Sequence, residues 1–152
     1  MSTHKLYLDV CCYNRPFDDQ TQVSIRLETE AKLHIQSNIK SYRYLLIWSY
    51  MLMLDLENNE NPYDEKRNTI IPWKDIAVEY CSSSDEILAT GQKIMNHGIK
   101  AKDALHLACA IKSGSDYFIT TDKGLMKKNI ENIIIKNPID FVREMESSYE
   151  IR

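Results

Sequence analysis

The 152-residue sequence lacks a strong excess of either charge, paired cysteines at metal-binding spacing and a long apolar run. Its net charge of -3 provides no overall basic surface for nucleic acid, although a local basic patch or bound cations would still supply one. The absence of a CxxC motif disfavours a zinc site. We expect four reduced cysteines that behave as small apolar residues: Cys11, Cys12, Cys81 and Cys109.

No targeting or membrane segment is visible. The N-terminal stretch "MSTHKLYLDV" has no apolar signal region. The longest apolar run, from Tyr44 to Leu54, is interrupted by Ser49 and falls short of the roughly 20 residues that span a bilayer. We therefore expect a cytoplasmic protein with one domain over residues 1–152, a core at about 5–140 and a loose C-terminal tail.

Short apolar runs and longer helical patterns alternate along the chain. The runs "KLYLDV", "YLLIW", "YFIT" and "NIIIK" are typical of buried strands, and Ile76–Tyr80 is compatible with a strand or a helix. The segment "CCYNRPFDDQTQ" is expected to be a loop. This order predicts an α/β fold with a mainly parallel sheet. Helices are expected at Val23–Gln36, Met51–Glu60, Asp64–Trp73, from "SSSDE" to about Asn96, Ala101–Lys112, Lys123–Asn129 and Pro138–Met145.

Several acids stand beside the most apolar segments. Asp9 ends the first strand and Asp122 follows "YFITT", so both lie at the carboxyl edge of a parallel sheet, where ligands bind. Asp103 begins a helix and Glu57 ends another; each is also compatible with an ordinary helix-end or solvated acid. Converging carboxylates repel one another unless a cation lies between them, and Mg²⁺ or Mn²⁺ prefers such oxygen ligands.

The ordered motifs "LYLDV", "KDALHLACAI" and "YFITTD" resemble the PIN domain, the nuclease fold found in VapC-type toxins. "DLENNENP" fits the segment that carries this family's second acid, and "NRPFDDQ" is similar to a variant among bacterial PIN proteins. The resemblance covers roughly residues 5–140. It implies a three-layer α/β/α sandwich and a toxin ribonuclease that hydrolyses RNA phosphodiester bonds with Mg²⁺ or Mn²⁺. A cognate antitoxin and a homodimer are implied as partners.

Residue by residue, the resemblance assigns catalysis and metal binding to four acids: Asp9, Glu57, Asp103 and Asp122. Asp55 stays open as an alternative to Glu57. The candidate substrate-binding residues are Arg15, Thr120, Thr121 and Lys123, with Arg15 alternatively paired to Asp18 or Asp19. His106 is expected to be a hydrogen-bonded core residue rather than a base.

One departure from the family pattern leaves a second function open. Asp9 is followed by "VCC", where many relatives have a small polar pair. A PIN-like module that binds RNA or protein with little catalysis is therefore the alternative. A phosphotransfer receiver domain is disfavoured, because "LDVCC" lacks the paired acids that such a domain needs after its first strand.

Overall fold

The computed structural model describes residues 3–57 and 64–150. Within these ranges, no helix is both long and apolar enough to cross a membrane. The strands are β1 His4–Leu8, β2 Tyr44–Ser49, β3 Glu79–Cys81, β4 Tyr117–Ile119 and β5 Ile134–Lys136. The helices are α1 Val10–Asn14, α2 Val23–Lys40, α3 Tyr50–Glu57, α4 Asp64–Ile70, α5 Pro72–Ile76, α6 Asp85–Met95, α7 Ala101–Lys112, α8 Lys123–Met126 and α9 Pro138–Glu150.

The strands form one parallel five-stranded sheet in the order β3-β2-β1-β4-β5. In the central register, Leu6 of β1 lies opposite Leu46 of β2 and Tyr117 of β4. The strands β1 and β2 are largely buried, which explains their nearly continuous apolar sequences. The ambiguous segment near Tyr80 is the edge strand β3. The predicted α/β fold with a parallel sheet is confirmed.

Alternate residues of the strands face two helical layers. Tyr7 of β1 contacts His106 of α7 on one face, with 2.6 Å between its hydroxyl and the ring Nδ1. Tyr44, whose neighbour on β1 is His4, faces the other way and packs edge-on against Phe141 of α9 at 5.4 Å between ring centroids. The three-layer α/β/α arrangement is therefore confirmed.

The structure differs from the predicted elements around the first acid and around a proline. The expected loop after Asp9 begins with α1, because the Asp9 carboxylate accepts the Val10 N–H at 2.8 Å and caps the helix. The single helix expected over Asp64–Trp73 is instead two helices, α4 and α5, and Pro72 begins α5, where its missing N–H costs nothing. The last predicted residues of the Met51–Glu60 helix, 58–60, lie outside the described residues.

Capping and turn residues position α6 and the helix that follows it, α7, which carries Asp103. Ser84 caps α6 by accepting the Ile87 N–H at 3.2 Å. After α6, Gly98 has a φ of +82°, a conformation that favours glycine, and the chain turns back into α7. The two helices pack as an antiparallel pair, which brings the first turn of α7 to the carboxyl edge of the sheet.

Candidate active site

A pocket of about 380 Å³ lies where β1 and β4 end and α7 begins. Three of the predicted acids, Asp9, Asp103 and Asp122, line it. Among the described residues, Asp55 is a further acid of the lining, and Glu57 is not part of it. The remaining residues that line the pocket are Val10, Cys11, Arg15, Lys102, His106 and Thr121. Parallel strands therefore deliver carboxylates to one edge of the sheet, as expected for this fold class.

Asp9 is held rigidly at the end of β1. One carboxylate oxygen accepts the Val10 N–H at 2.8 Å, and the other accepts the Thr120 hydroxyl at 3.0 Å. Burial raises the pKa of Asp9 well above its usual value, and the nearby Cys11 raises it further. A carboxylate in this environment gains strongly from any cation that enters the pocket.

Cys11 occupies the position where a small polar helper would otherwise be expected. Its sulfur lies 3.5 Å from both the Asp9 Oδ2 and the Thr120 Oγ1 atoms. It also accepts the Thr121 N–H at 3.4 Å. Hydrogen bonding, first with Cys12 and then with Thr120 and Thr121, lowers the Cys11 pKa to about 6 despite burial. The Cys11 thiol therefore provides one of the polar contacts of the Asp9 carboxylate.

Asp103 and Asp122 approach the pocket from α7 and from the β4–α8 connection. Asp122 caps α8, since its Oδ1 accepts the N–H groups of Gly124 at 2.8 Å and Leu125 at 3.2 Å. Its own N–H donates to Thr120 Oγ1 at 3.1 Å. Burial raises the pKa of Asp103, and repulsion from the Asp122 carboxylate adds to this. The two acids are therefore close enough to interact.

Asp55 anchors a buried polar chain that runs from the pocket into the sheet. Only 1% of Asp55 is exposed; its Oδ1 lies 2.9 Å from Lys102 Nζ and its Oδ2 lies 2.7 Å from His106 Nε2. His106 Nδ1 then lies 2.6 Å from the Tyr7 hydroxyl, which is 2.6 Å from Ser49 Oγ. Both Asp55 oxygens are thus engaged by cationic or ring nitrogen groups.

Glu57 lies on the other side of the same helix. Because an α-helix turns about 100° per residue, side chains two positions apart point in nearly opposite directions. Glu57 is exposed, and its charge contributes, after burial, to the raised pKa of Tyr80 on the edge strand β3. Of the two acids left open by the sequence, the structure therefore brings Asp55 to the pocket and leaves Glu57 away from it.

The candidate substrate-binding residues have different surroundings. Arg15 lines the pocket, but its guanidinium is bound by Asp18 at 2.8 Å and Glu28 at 3.1 Å, so the expected alternative of a structural pair with Asp18 is present. Thr121 lines the pocket, whereas Lys123 is exposed at the first turn of α8 and does not. Thr120 acts on the acids of the pocket: its hydroxyl donates a hydrogen bond to Asp9 and accepts one from the Asp122 N–H.

The donor chemistry of the pocket fits a hard divalent cation, because its acids offer carboxylate oxygens. In the described part of the chain, however, no three acidic, imidazole or thiol side chains are gathered closely enough to hold an ion together. Carboxylate oxygens of Asp9, Asp55 and Asp122 are instead bound by hydrogen-bond donors and cationic groups of the protein. The acids that would hold an ion are Asp9, Asp103 and Asp122, none of which forms an ion pair with a lysine of the described residues.

Sequence reasoning did not single out Lys102 as a functional residue. Lys102 and His106 are four residues apart on α7 and therefore share one helix face, from which both bind Asp55. That spacing is readable in "KDALH", but its partner lies on another element, 47 residues before Lys102. His106 is buried and hydrogen-bonded on both ring nitrogens, although it also lines the pocket.

Comparison with known proteins identifies the family. The family model of the PIN domain matches residues 25–130. The chain belongs to the PIN domain family. The match includes Asp55, Glu57, Asp103 and Asp122, and it begins after Asp9. PIN domains are generally nucleases, and the family generally uses divalent metal ions.

A solved structure shares the fold. The protein resembles a chain in the crystal structure of VapBC2 from Rickettsia felis bound to a DNA fragment from their promoter, with a TM-score of 0.56 and 14% identity. The likeness covers 88% of this PIN protein and 98% of that chain. Curated protein sequences give no match. The recognition of a PIN fold is therefore confirmed by a family model and by a structure.

Proposed function

We propose that this PIN protein is a divalent-metal-dependent endoribonuclease. The observation that carries the proposal is the convergence of four acids on one pocket at the carboxyl edge of the sheet: Asp9, Asp55, Asp103 and Asp122. Family membership supports a nuclease, and the choice of RNA and of Mg²⁺ or Mn²⁺ is our own extension.

The acids have different roles in this proposal. Asp9, Asp103 and Asp122 would hold Mg²⁺ or Mn²⁺, which when bound activates water and stabilises charge on the phosphate. Thr120 orients Asp9 through its hydroxyl. Asp55 is the second acid of the site in place of Glu57, and it fixes Lys102 at the pocket.

Cationic groups at the pocket would receive the phosphate backbone. Lys102 lines the pocket with its ammonium held by Asp55, and Arg15 lines it with a guanidinium held by Asp18 and Glu28. Both would contact phosphate oxygens without reading base sequence. Lys123, exposed on α8, would extend this contact beyond the pocket. These charges offset the repulsion between RNA and a protein of net charge -3.

We further propose that the protein is the cytoplasmic toxin of a toxin–antitoxin pair, with a cognate antitoxin and a homodimer as its assembly states. The support is the shared fold with a chain from a VapBC2 structure. Co-expression with the product of a short adjacent gene, followed by size-exclusion chromatography, tests this part separately from catalysis. Co-elution supports the antitoxin, and separate elution with undiminished ribonuclease activity opposes it.

The central test is RNA cleavage by the wild type and by Asp9→Asn, each in Mg²⁺, Mn²⁺ and EDTA. Asn keeps the shape of Asp and an oxygen that can accept the Val10 N–H, so α1 keeps its cap. We expect metal-dependent cleavage by the wild type and a loss of at least about 100-fold in the variant. Equal cleavage by both proteins, or cleavage that persists in EDTA, would contradict the proposed mechanism.

A catalytically weak RNA- or protein-binding module is the second candidate. It is favoured by one observation: both oxygens of Asp55 are already bound, by Lys102 and His106. Calorimetric titration with Mn²⁺ separates the two candidates, because a nuclease of the proposed kind binds the ion through the three other acids. RNA binding without Mn²⁺ binding would favour the module.

A further inference from the structure

The long helix α2 buries several polar residues beside Ile35 and Ile39, and it exposes some of its apolar ones. Its buried face includes Thr29, Lys32 and Gln36, whereas 46% of Leu27 and 51% of Leu33 are exposed. A surface helix ordinarily shows the reverse pattern, with apolar side chains against the core. The buried polar positions therefore need a physical explanation.

Part of this buried face is satisfied by the protein itself. Glu28, also on the buried side, binds Arg15 and accepts an amide hydrogen bond from Asn137 at 2.6 Å. Lys32 and Gln36, one and two turns further along α2, are different. Gln36 Nε2 is buried and has no hydrogen-bond partner among the described residues. Lys32 forms no ion pair with an acid of the described residues, and burial is the main influence on the pKa of its ammonium.

A second buried donor without a partner lies on the neighbouring helix. The hydroxyl of Tyr13 in α1 is fully buried and has no hydrogen-bond partner within the described structure. Buried polar groups in proteins are nearly always hydrogen-bonded, so two unsatisfied buried donors beside the Lys32 ammonium are unusual. Lys32 is 5% exposed, and burial lowers its pKa to about 8.

All three donors line one pocket of about 390 Å³ between α2 and the α4–α5 pair. This volume is within the range of small-molecule sites, roughly 300–1,000 Å³. Its walls are mostly apolar, and no acidic side chain is among the described residues that line it. The apolar part of the lining consists of Pro16, Leu33, Ile70, Pro72, Trp73 and Ile76.

The pocket is separate from the acid pocket. The two linings have no residue in common in the described part of the chain. At the end of the lining formed by Lys40 and Trp73, the Lys40 ammonium lies 5.4 Å from the Trp73 ring centroid, a cation–π contact. Lys40 is exposed, whereas Tyr13, Lys32 and Gln36 are buried, so the three donors belong to the buried part of the lining.

We propose that this pocket binds a small organic carboxylate with an apolar or aromatic body. The buried end presents one ammonium, one amide N–H₂ and one hydroxyl, from Lys32, Gln36 and Tyr13, and a carboxylate accepts hydrogen bonds from all three. One negative charge matches the single buried positive charge, and the apolar walls take up the body of the ligand. The site goes beyond the proposed ribonuclease activity and does not depend on it.

The test is calorimetric titration of the full chain with sodium phenylacetate, octanoate and indole-3-acetate, with amide chemical shifts followed by NMR. Ligands of this size bind with Kd on the order of 1 mM. We expect at least one acid to bind and to shift the resonances of α2, and its neutral amide to bind at least tenfold more weakly. Lys32→Met should weaken the acid at least tenfold, because it removes the charge and keeps a chain of similar length.

Lys93→Met, an exposed lysine near the end of α6, is the matched control and should bind the acid as the wild type does. Circular dichroism of each variant verifies that the fold is intact; Gln36→Leu serves as a second variant if Lys32→Met does not fold. The proposal is overturned if none of the three acids binds, if acid and amide bind equally, or if Lys32→Met and Gln36→Leu both bind as tightly as the wild type. Binding of only a partner polypeptide at this pocket would also overturn it. None of these measurements depends on RNA cleavage.

Discussion

Lys32 carries a cost to stability that a single substitution should remove. The pKa of lysine is 10.5 in the unfolded chain, and burial lowers that of Lys32 to about 8 in the folded protein. One pKa unit corresponds to about 1.36 kcal/mol, so at pH 7 the buried ammonium lowers the free energy of unfolding by roughly 3 kcal/mol. Lys32→Met keeps the apolar stem and removes this cost.

The difference in free energy of unfolding between Lys32→Met and the wild type should depend on pH in a defined direction. Between about pH 8 and 10.5 the unfolded chain binds more protons than the folded one, so wild-type stability relative to the variant rises with pH. The advantage of Lys32→Met should be fully present below pH 8, fall to about 2 kcal/mol at pH 9 and vanish above pH 10.5.

Urea unfolding followed by circular dichroism, at several pH values from 7 to 9.5, measures this difference directly. Other titrating groups are common to both proteins and cancel in the comparison. Lys93→Met, which removes an exposed lysine, should show a difference near zero that does not change with pH. A Lys32→Met protein no more stable than the wild type at pH 7, or a difference that is constant with pH, would refute the argument.

Two further predictions concern the acid pocket and α6, the helix that packs against α7. Asp55→Asn should lower RNA cleavage at least about 100-fold, whereas Glu57→Gln should leave the rate within about threefold, as measured on a labelled RNA; the opposite ranking would restore Glu57 as the second acid. Ser84→Ala should lower the free energy of unfolding by about 1 kcal/mol in urea, because the Ile87 N–H loses its acceptor. An unchanged midpoint would show that the cap contributes nothing.

The parts of the fold that were predictable are those whose signals are local. The sequence of β2 is a short apolar run, and the structure buries nearly all of it on both faces. The helix Ala101–Lys112 has the predicted bounds, because glycine turns at Gly98 and Gly114 enclose it, both with positive φ. The carboxyl-edge positions of Asp9 and Asp122 then follow from the parallel sheet.

The choice between Asp55 and Glu57 was not predictable for a physical reason. Helix α3 is apolar at nearly every position from Tyr50 to Leu56, so no polar stripe identifies the face that packs inward. The side chains that select Asp55 belong to α7, and no local pattern reveals that contact. The buried face of α2 is not readable from its apolar residues for a similar reason: Leu27 and Leu33 are exposed, whereas Lys32 and Gln36 are buried.

The motif "KDALH" contributes three groups of different charge to one pocket, and these groups adjust one another. Burial and the Asp122 carboxylate raise the pKa of Asp103, while the charges of His106 and Lys102 act in the opposite direction. Lys102 and His106 are themselves held in place by Asp55. Asp55 therefore acts on Asp103 indirectly, because it fixes the Lys102 ammonium, whose charge favours the ionised form of Asp103. Asp55 and Lys102 together add no net charge to the pocket, so a bound cation would neutralise the repulsion among Asp9, Asp103 and Asp122.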